Sequence, residues 1–229
     1  MPISSTDYYL LTRALFKQNT DEATAQWMQN YMRHQFIFYG IKTPLRRTIQ
    51  KQIIAEYGYP TIEQLPELMN LFWADEHRDF QLFGVDLMAK LIKKTDKSFI
   101  SVVEKLIVTK SWWDTVDFLA SKLVGNLGLR FPELIPNYPN RWIVSDNIWL
   151  QRTAILFQLK YKQQTNTDLL FQYIMQLKDS DEFFIQKAAG WALREYSKTD
   201  WALVLNFIEN NNLAPLTQRE GLKWMKAKG

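Results

Sequence analysis

Cysteine is absent from the 229 residues, and histidine occurs only at His34 and His77. The lack of cysteine excludes disulfides, thiolate metal sites and cysteine nucleophiles. Two histidines far apart in the chain cannot supply a histidine-rich metal centre, and they give little support to a Ser-His-Asp triad. We therefore expect neither a metal ion nor a cofactor.

Glycine and proline are also scarce, with eight of each, so long segments run without a helix breaker. Asn-Gly and Asp-Gly hairpin turns are missing, and apolar and polar residues rarely alternate. The segment 78–92 has helical periodicity instead, with an apolar face formed by Phe80, Phe83, Val85, Leu87, Met88 and Leu91. These patterns predict an all-α protein.

Capping patterns place two helix starts. Thr43 precedes Pro44, which predicts an N-cap residue followed by proline at the first helical position. Thr217 and Glu220 have the spacing of a capping box and predict the start of a last helix.

Long apolar runs are missing as well. No run approaches the length that spans a bilayer, and the start "MPISSTDYYL" has no basic segment followed by an apolar stretch. We expect a cytoplasmic protein with no membrane partner.

Positive charge and aromatic residues are what the chain has in excess. The formal net charge is +4, and nine tryptophans contribute to an aromatic content of 14%. Residues 40–52 contain Lys42, Arg46, Arg47 and Lys51 but no acidic residue. This segment reads most simply as a solvated helix face. Alternatively, it forms an electrostatic track for phosphates with Lys160, Lys162, Lys187 and Arg194.

An internal repeat has a period of 35 residues. The segments "SDNIWLQRTAILFQL" from Ser145 and "SDEFFIQKAAGWALR" from Ser180 superimpose at this offset, and Arg152 then matches Lys187. Earlier steps of the same length reach Asp117 and Leu82. A period in the mid-thirties without strands is typical of a HEAT-like α-solenoid, and we expect one such domain over residues 1–229.

Equivalent positions of stacked repeats line the same surface. The register therefore predicts a row of Asp117, Arg152 and Lys187, with Trp113 and Trp191 one helical turn away on the same face. We place Trp112 and Trp149 in the core. A purely structural Asp117–Arg152 salt bridge is an alternative to a functional row.

Four strings in the chain resemble one enzyme family. "TKSWWDTVD", "SDNIWLQRTAILFQLKYK", "FFIQKAAGWALREY" and "GIKTPLRR" are similar to the bacterial HEAT-repeat alkylpurine DNA glycosylases, the AlkD family, and the similarity extends to the closing "LAPLTQREGLK". The resemblance implies a right-handed, C-shaped solenoid whose basic concave face holds duplex DNA. It also implies removal of N3- and N7-alkylated purines, which leaves an abasic site.

The resemblance assigns roles to five residues. Asp117 matches the family's catalytic aspartate, and Trp113 and Trp191 match its two active-site tryptophans. Arg152 matches an arginine that holds the DNA backbone, and Tyr31 an aromatic that approaches the DNA from the N-terminal side. Lys187, Arg47 and Lys160 are further DNA-binding candidates. We expect a monomer without an obligate protein partner.

The chemistry of these residue types is consistent with that reaction. A cationic alkylpurine leaves without protonation, so no general acid is required. A carboxylate can stabilise the positive charge that develops on the deoxyribose and can orient water. Two alternatives stay open: a HEAT-like protein that binds DNA without excision, and a protein-interaction scaffold.

Overall fold

The computed structural model describes residues 3–227, and within them the chain is all-helical, as the sequence predicts. None of these helices is long and apolar enough to cross a membrane. The chain divides into two compact units, one up to Thr95 and one from Asp96 onward. The single HEAT-like domain stays a prediction.

Over its described residues, 3–95, the first unit contains five α-helices and a short 3-10 helix. Their bounds are α1 Ser5–Gln18, α2 Glu22–Tyr31, α3 Thr43–Tyr57, α4 Leu65–Ala74 and α5 Arg78–Leu91, followed by the 3-10 turn Ile92–Lys94. Helix α5 is the one predicted over 78–92, and all six residues of its predicted apolar face are buried.

All but one of the helices described in the second unit have ten residues or fewer, and the exception is the 14-residue helix Phe183–Tyr196. These helices are α6 Phe99–Val108, α7 Trp113–Phe118, α8 Gly125–Arg130, α9 Leu134–Asn137, α10 Pro139–Trp142, α11 Ile148–Leu156, α12 Thr167–Gln176, α13 Phe183–Tyr196, α14 Trp201–Glu209, α15 Pro215–Gly221 and α16 Lys223–Lys226. A π-helical segment, Leu119–Val124, joins α7 to α8, and Lys162–Gln164 is a 3-10 turn.

The basic segment 40–52 is only partly solvated. Arg46 is buried, and its Nε and Nη2 lie 3.0 and 2.9 Å from Asp86 Oδ2. Asp86 belongs to α5, so the charge of Arg46 is neutralised inside the first unit. Lys42, Arg47 and Lys51 remain exposed. The prediction of a solvated face is therefore wrong for Arg46, because a single sequence does not reveal which cation has a buried partner.

Both predicted helix starts are corrected. Helix α3 begins at Thr43 itself, with Lys42 in the N-cap position and no side-chain cap bond. Helix α15 begins at Pro215 after Ala214, so Thr217 lies inside it. The Thr217 hydroxyl donates to the Gln186 carbonyl at 3.2 Å, a bond to α13.

Equivalent side chains confirm the 35-residue register. In three repeats a glutamine donates from Nε2 to the backbone carbonyl six residues earlier. The pairs are Gln81 with Asp75 at 3.1 Å, Gln151 with Ser145 at 2.7 Å, and Gln186 with Ser180 at 2.9 Å. These glutamines are separated by 70 and 35 residues. The register therefore reaches from the first unit into the second.

Helices α13 and α15 approach each other closely at Gly190. A Cβ atom there would lie 2.5 Å from Glu220 Cβ and 2.9 Å from the Thr217 carbonyl. Glycine is thus required because the two helices leave no room for a side chain, and not because of its backbone angles. This close approach fixes α13, which carries Lys187 and Trp191, against α15.

We expect Gly190→Ala to lower the free energy of unfolding by about 1–3 kcal/mol, because the added methyl group overpacks the contact. Urea unfolding followed by circular dichroism measures the change. At an open helical position the same substitution would stabilise the protein by about 1 kcal/mol. A gain in stability would therefore contradict the close packing.

Candidate active site

Aromatic packing sets the start of α7, the helix that carries Trp113 and Asp117. Trp112 precedes this helix in an extended conformation. Its ring centroid lies 5.7 Å from that of Trp149 and 5.2 Å from that of Phe184. These three rings come from three successive repeats, so the cluster fixes α7 against α11 and α13. Trp112 and Trp149, predicted to lie in the core, are half-buried.

Asp117 and Arg152 form a two-point ion pair between α7 and α11. Arg152 Nε donates to Oδ1 of Asp117 at 2.7 Å, and Nη2 donates to Oδ2 at 2.8 Å. The side chain of Asp117 is 15% exposed and that of Arg152 is 6% exposed. The predicted neighbours in the row are therefore in direct contact. Their geometry is the bidentate form that favours arginine over lysine.

The rest of the Arg152 guanidinium is held by α13. Nη1 donates to the backbone carbonyl of Phe184, and the guanidinium carbon lies 5.9 Å from the centre of the Phe184 ring. Arg152 therefore directs all three of its nitrogens to protein acceptors. A direct contact between Arg152 and a DNA phosphate stays a prediction from the resemblance.

Burial controls the ionisation of Asp117. Desolvation raises the pKa of its carboxyl above the ordinary value, and the charge of nearby Asp114 adds to that rise. The hydrogen bonds and positive charge of Arg152 act in the opposite direction. The bidentate contact with the guanidinium therefore favours the carboxylate form of Asp117 against the effect of burial.

A cleft of about 220 Å³ lies beside this ion pair. It is lined by Trp113, Arg152, Phe183, Phe184 and Lys187. Arg152 belongs to both the cleft and the ion pair, so the carboxylate lies one side chain away from the open space. The cleft thus combines indole, phenyl and cationic surfaces.

Lys187 and Trp191 lie one turn apart on α13. Lys187 Nζ is 2.8 Å from Glu220 Oε1, and it lies 6.0 Å from the centre of the Phe183 ring. Lys187 is thus held by Glu220, whereas Asp117 pairs with Arg152. Trp191 is half-buried on the same helix.

Three further candidates are accessible on the surface of their own units. Lys160 is 47% exposed and pairs with Glu195 at 3.1 Å. In the first unit, Tyr31 is exposed and its ring is parallel to that of Trp27 on α2, with 5.5 Å between centroids. Arg47 is also exposed, and its Nη2 lies 3.7 Å from Asp86.

The structure adds residues that sequence reasoning missed. Phe184 contributes its backbone carbonyl, which no side-chain pattern reveals. Glu220 was assigned to a cap, yet it binds Lys187, Arg194 and Lys223. Glu220 lies 33 residues after Lys187, which is close to the repeat period, and this spacing could have indicated the contact.

The family of the chain follows from comparison with known proteins. A family described as DNA alkylation repair enzyme matches residues 12–225. The chain belongs to this family. A search of curated proteins finds no match.

Two solved structures resemble this DNA alkylation repair family member. A predicted DNA alkylation repair enzyme from Enterococcus faecalis is 33% identical, with a TM-score of 0.83 over 90% of this chain and 96% of that one. AlkD2 from Streptococcus mutans is 18% identical, with a TM-score of 0.58 over 87% of this chain and 96% of that one. The second similarity concerns the fold alone.

A double-mutant cycle tests the ion pair. We expect Arg152→Gln to lower the free energy of unfolding by about 3–5 kcal/mol, because it leaves a buried carboxylate unpaired. In the Asp117→Asn background, the same change removes no charge–charge attraction and costs less. Urea unfolding of the four proteins gives the coupling energy. Additive losses would show that the pair contributes nothing by its contact.

Proposed function

We propose that this chain is a monofunctional DNA glycosylase that hydrolyses the N-glycosidic bond of N3- and N7-alkylated purines in duplex DNA. The observation that supports this most directly is the largely buried carboxylate of Asp117, fixed by Arg152 beside an aromatic cleft. Membership of the DNA alkylation repair family supports a substrate of alkylated DNA.

The proposed reaction needs an ionised carboxylate, and it does not need a general acid to protonate the leaving base. The bond between C1′ and the purine nitrogen breaks, and its electron pair leaves with the cationic base, which becomes neutral. Positive charge passes to the deoxyribose, where the Asp117 carboxylate stabilises it. A water molecule then forms the new C1′–O bond and loses one proton to the carboxylate or the surrounding water. The products are the free base and an abasic site.

Arg152 orients the carboxylate in this proposal. Each Asp117 oxygen accepts one hydrogen bond from the guanidinium, and each has a further lone pair for water or the sugar. A bidentate contact also prevents the carboxylate from rotating. The electrostatic partner of the transition state is thus in place before the substrate arrives, which lowers the reorganisation cost of the reaction.

Trp113 and Trp191 are proposed to contact the sugar and backbone around the lesion. Indole faces attract cationic groups by about 0.5–2 kcal/mol per contact. Trp113 lines the cleft next to Arg152, so its indole can exclude water where positive charge develops. Trp191 is proposed for the same role from α13, which also contributes Lys187 and the Phe184 carbonyl.

Binding of duplex DNA is proposed to use exposed or partly exposed cations and one exposed aromatic residue. The candidates are Lys160, Lys187 and Arg47 for phosphates, and Tyr31 for a contact from the first unit. Such contacts weaken with added salt because bound phosphates release counterions. We propose that the protein acts as a monomer on DNA in the cytoplasm, without an obligate partner.

Release of 7-methylguanine and 3-methyladenine from methylated duplex DNA tests the activity. We expect Asp117→Asn to reduce single-turnover release by at least about 100-fold, the scale of losing a preorganised electrostatic contact. Binding to undamaged duplex should persist. Asp168→Asn is the matched control, because Asp168 is an exposed aspartate of the same unit, and it should retain wild-type release.

The pH dependence follows from the ionised form of Asp117. Because burial raises the pKa of this carboxyl, single-turnover release should fall on the acid side with a midpoint above that of an ordinary aspartate. Arg152→Lys removes the bidentate contact and should move the midpoint higher. Spontaneous depurination is measured in parallel and subtracted. If Arg152→Lys does not change the midpoint of the acid-side loss of release, the group that titrates is not Asp117.

A DNA-binding protein without excision is the second candidate. It is favoured by the two-point contact itself, because a carboxylate bound at both oxygens by arginine and only 15% exposed also suits a structural salt bridge. Wild-type protein that binds duplex DNA but releases no methylated base would establish this alternative.

A further inference from the structure

Two aromatic side chains of α2 lie outside the core and face solvent. Trp27 is 62% exposed and Tyr31 is 56% exposed. Their rings are parallel, with an interplanar angle of 7° and 5.5 Å between centroids. Tyr31 is a DNA-binding candidate, but the proposed function gives Trp27 no role. An exposed tryptophan that is already aligned with a second ring is suited to stack against a planar ligand.

A cleft of about 590 Å³ lies beside Trp27. Its lining consists of Asp21, Ala23, Thr24, Trp27 and Lys42. A volume of this size lies in the range that small ligands occupy. The lining combines an indole, a carboxylate and an ammonium group, and none of its residues belongs to the candidate active site.

The backbone that leads to Lys42 is held against the start of α2. Asp21 donates its amide hydrogen to the Tyr39 carbonyl at 3.0 Å. The buried carboxylate of Asp79 accepts from the Tyr39 amide at 2.7 Å. Gly40 follows with a φ of 85°, and a Cβ atom there would lie 2.3 Å from the Asp21 carbonyl oxygen. The two walls of the cleft are therefore fixed relative to each other before a ligand binds, which lowers the entropy cost of binding.

Asp21 and Lys42 bring opposite charges to the cleft. Asp21 is the N-cap residue of α2, and its Oδ1 accepts the Thr24 amide hydrogen at 2.8 Å. Hydrogen bonds from Thr24 lower the pKa of this carboxyl, and the charge of Lys42 lowers it further. The ionised carboxylate has additional lone pairs for a ligand. Lys42 is exposed and forms no salt bridge within residues 3–227, so its ammonium group is available to an anion.

We propose that this cleft binds a single unstacked nucleotide. The base stacks on the indole of Trp27, the edge of the base donates to the Asp21 carboxylate, and the phosphate binds Lys42. Bases outside a helix are recognised by this combination of aromatic stacking and hydrogen bonds to their edges. Guanine suits the carboxylate best, because its N1–H and its amino group are adjacent donors, whereas thymine presents one N–H between two carbonyl oxygens.

A free nucleotide and an unpaired nucleotide of a DNA strand present the same groups to this cleft. A nucleotide within a strand would gain from contacts that the protein makes elsewhere on the DNA. The inference goes beyond the proposed function, and it does not depend on base excision.

Titration with deoxyguanosine monophosphate (dGMP), followed by NMR of the indole N–H groups, tests the stack. We expect saturable shifts of the Trp27 signal, which is assigned from its absence in Trp27→Phe. Trp27→Ala should weaken dGMP binding by about 5- to 150-fold, the loss that corresponds to one base–indole stack. Trp27→Phe keeps an aromatic face and should bind more tightly than Trp27→Ala. Trp201→Ala is the matched control, because Trp201 is 56% exposed on a helix of the second unit, and it should leave dGMP binding unchanged.

Two further variants test the polar contacts. Lys42→Gln should lower the affinity for dGMP to about that for deoxyguanosine, which lacks the phosphate, and should leave deoxyguanosine binding unchanged. We expect the wild-type protein to prefer dGMP over thymidine monophosphate by about 10-fold, the scale of one hydrogen bond to a charged group. Asp21→Asn keeps an N-cap side chain for α2 and should remove this preference.

A duplex that contains one unpaired guanine identifies the source of the nucleotide. If it binds more tightly than the fully paired duplex and Trp27→Ala removes the difference, the site takes an unpaired nucleotide of DNA. If dGMP binding shows the expected losses and the unpaired guanine adds no affinity, the site takes a free nucleotide. Absence of both effects, or equal losses in Trp27→Ala and Trp201→Ala, would overturn the proposal. None of these ligands is alkylated, so the outcome is independent of glycosylase activity.

Discussion

The burial of the Asp117 carboxylate is the constraint on which the candidate site depends. A carboxylate that is mostly removed from water needs a charged partner and hydrogen bonds, and Arg152 supplies both from the next repeat. The third guanidinium nitrogen then needs an acceptor of its own, which is the Phe184 carbonyl. One buried charge thereby fixes α7, α11 and α13 relative to one another. The rings of Trp112, Trp149 and Phe184 strengthen this arrangement by packing across the same three helices.

Glu220 is also a carboxylate removed from water that needs charged partners, but it has more cations around it than Asp117 has. Burial opposes its ionisation, but hydrogen bonds from Lys187 and Lys223 outweigh that effect and lower the pKa to about 2. Asp117 has one cation and forms a neutral pair, whereas Glu220 has three and leaves positive charge at the surface. In the proposed reaction, the remaining lone pairs of the Asp117 carboxylate can respond to the positive charge that develops on the sugar.

The repeat predicts the contact between Asp117 and Arg152, whereas several contacts elsewhere in the chain were missed. Asp117 and Arg152 are 35 residues apart, so the register alone placed them together and raised the possibility of a salt bridge. Arg46 pairs with Asp86 at a spacing of 40, in a segment that reads as solvated. Thr217 and Glu220 have the spacing of a capping box, but both side chains bind α13 instead. Local spacing in the sequence does not reveal such a contact with another helix. The Phe184 contact uses a backbone carbonyl, and every residue has one.

The lining of the cleft bears on which lesions the proposed enzyme could process. In the described part of the chain the lining residues are Trp113, Arg152, Phe183, Phe184 and Lys187, and none is a carboxylic acid or an imidazole. Arginine side chains do not act as acids in proteins, and Lys187 is paired with Glu220. A neutral purine needs a proton on its ring before it can leave, and these groups are poorly suited to supply one. A purine alkylated at N3 or N7 is cationic and leaves without it. In the proposed reaction, discrimination between damaged and normal purines thus follows from the leaving group, so a pocket that reads the base is not required.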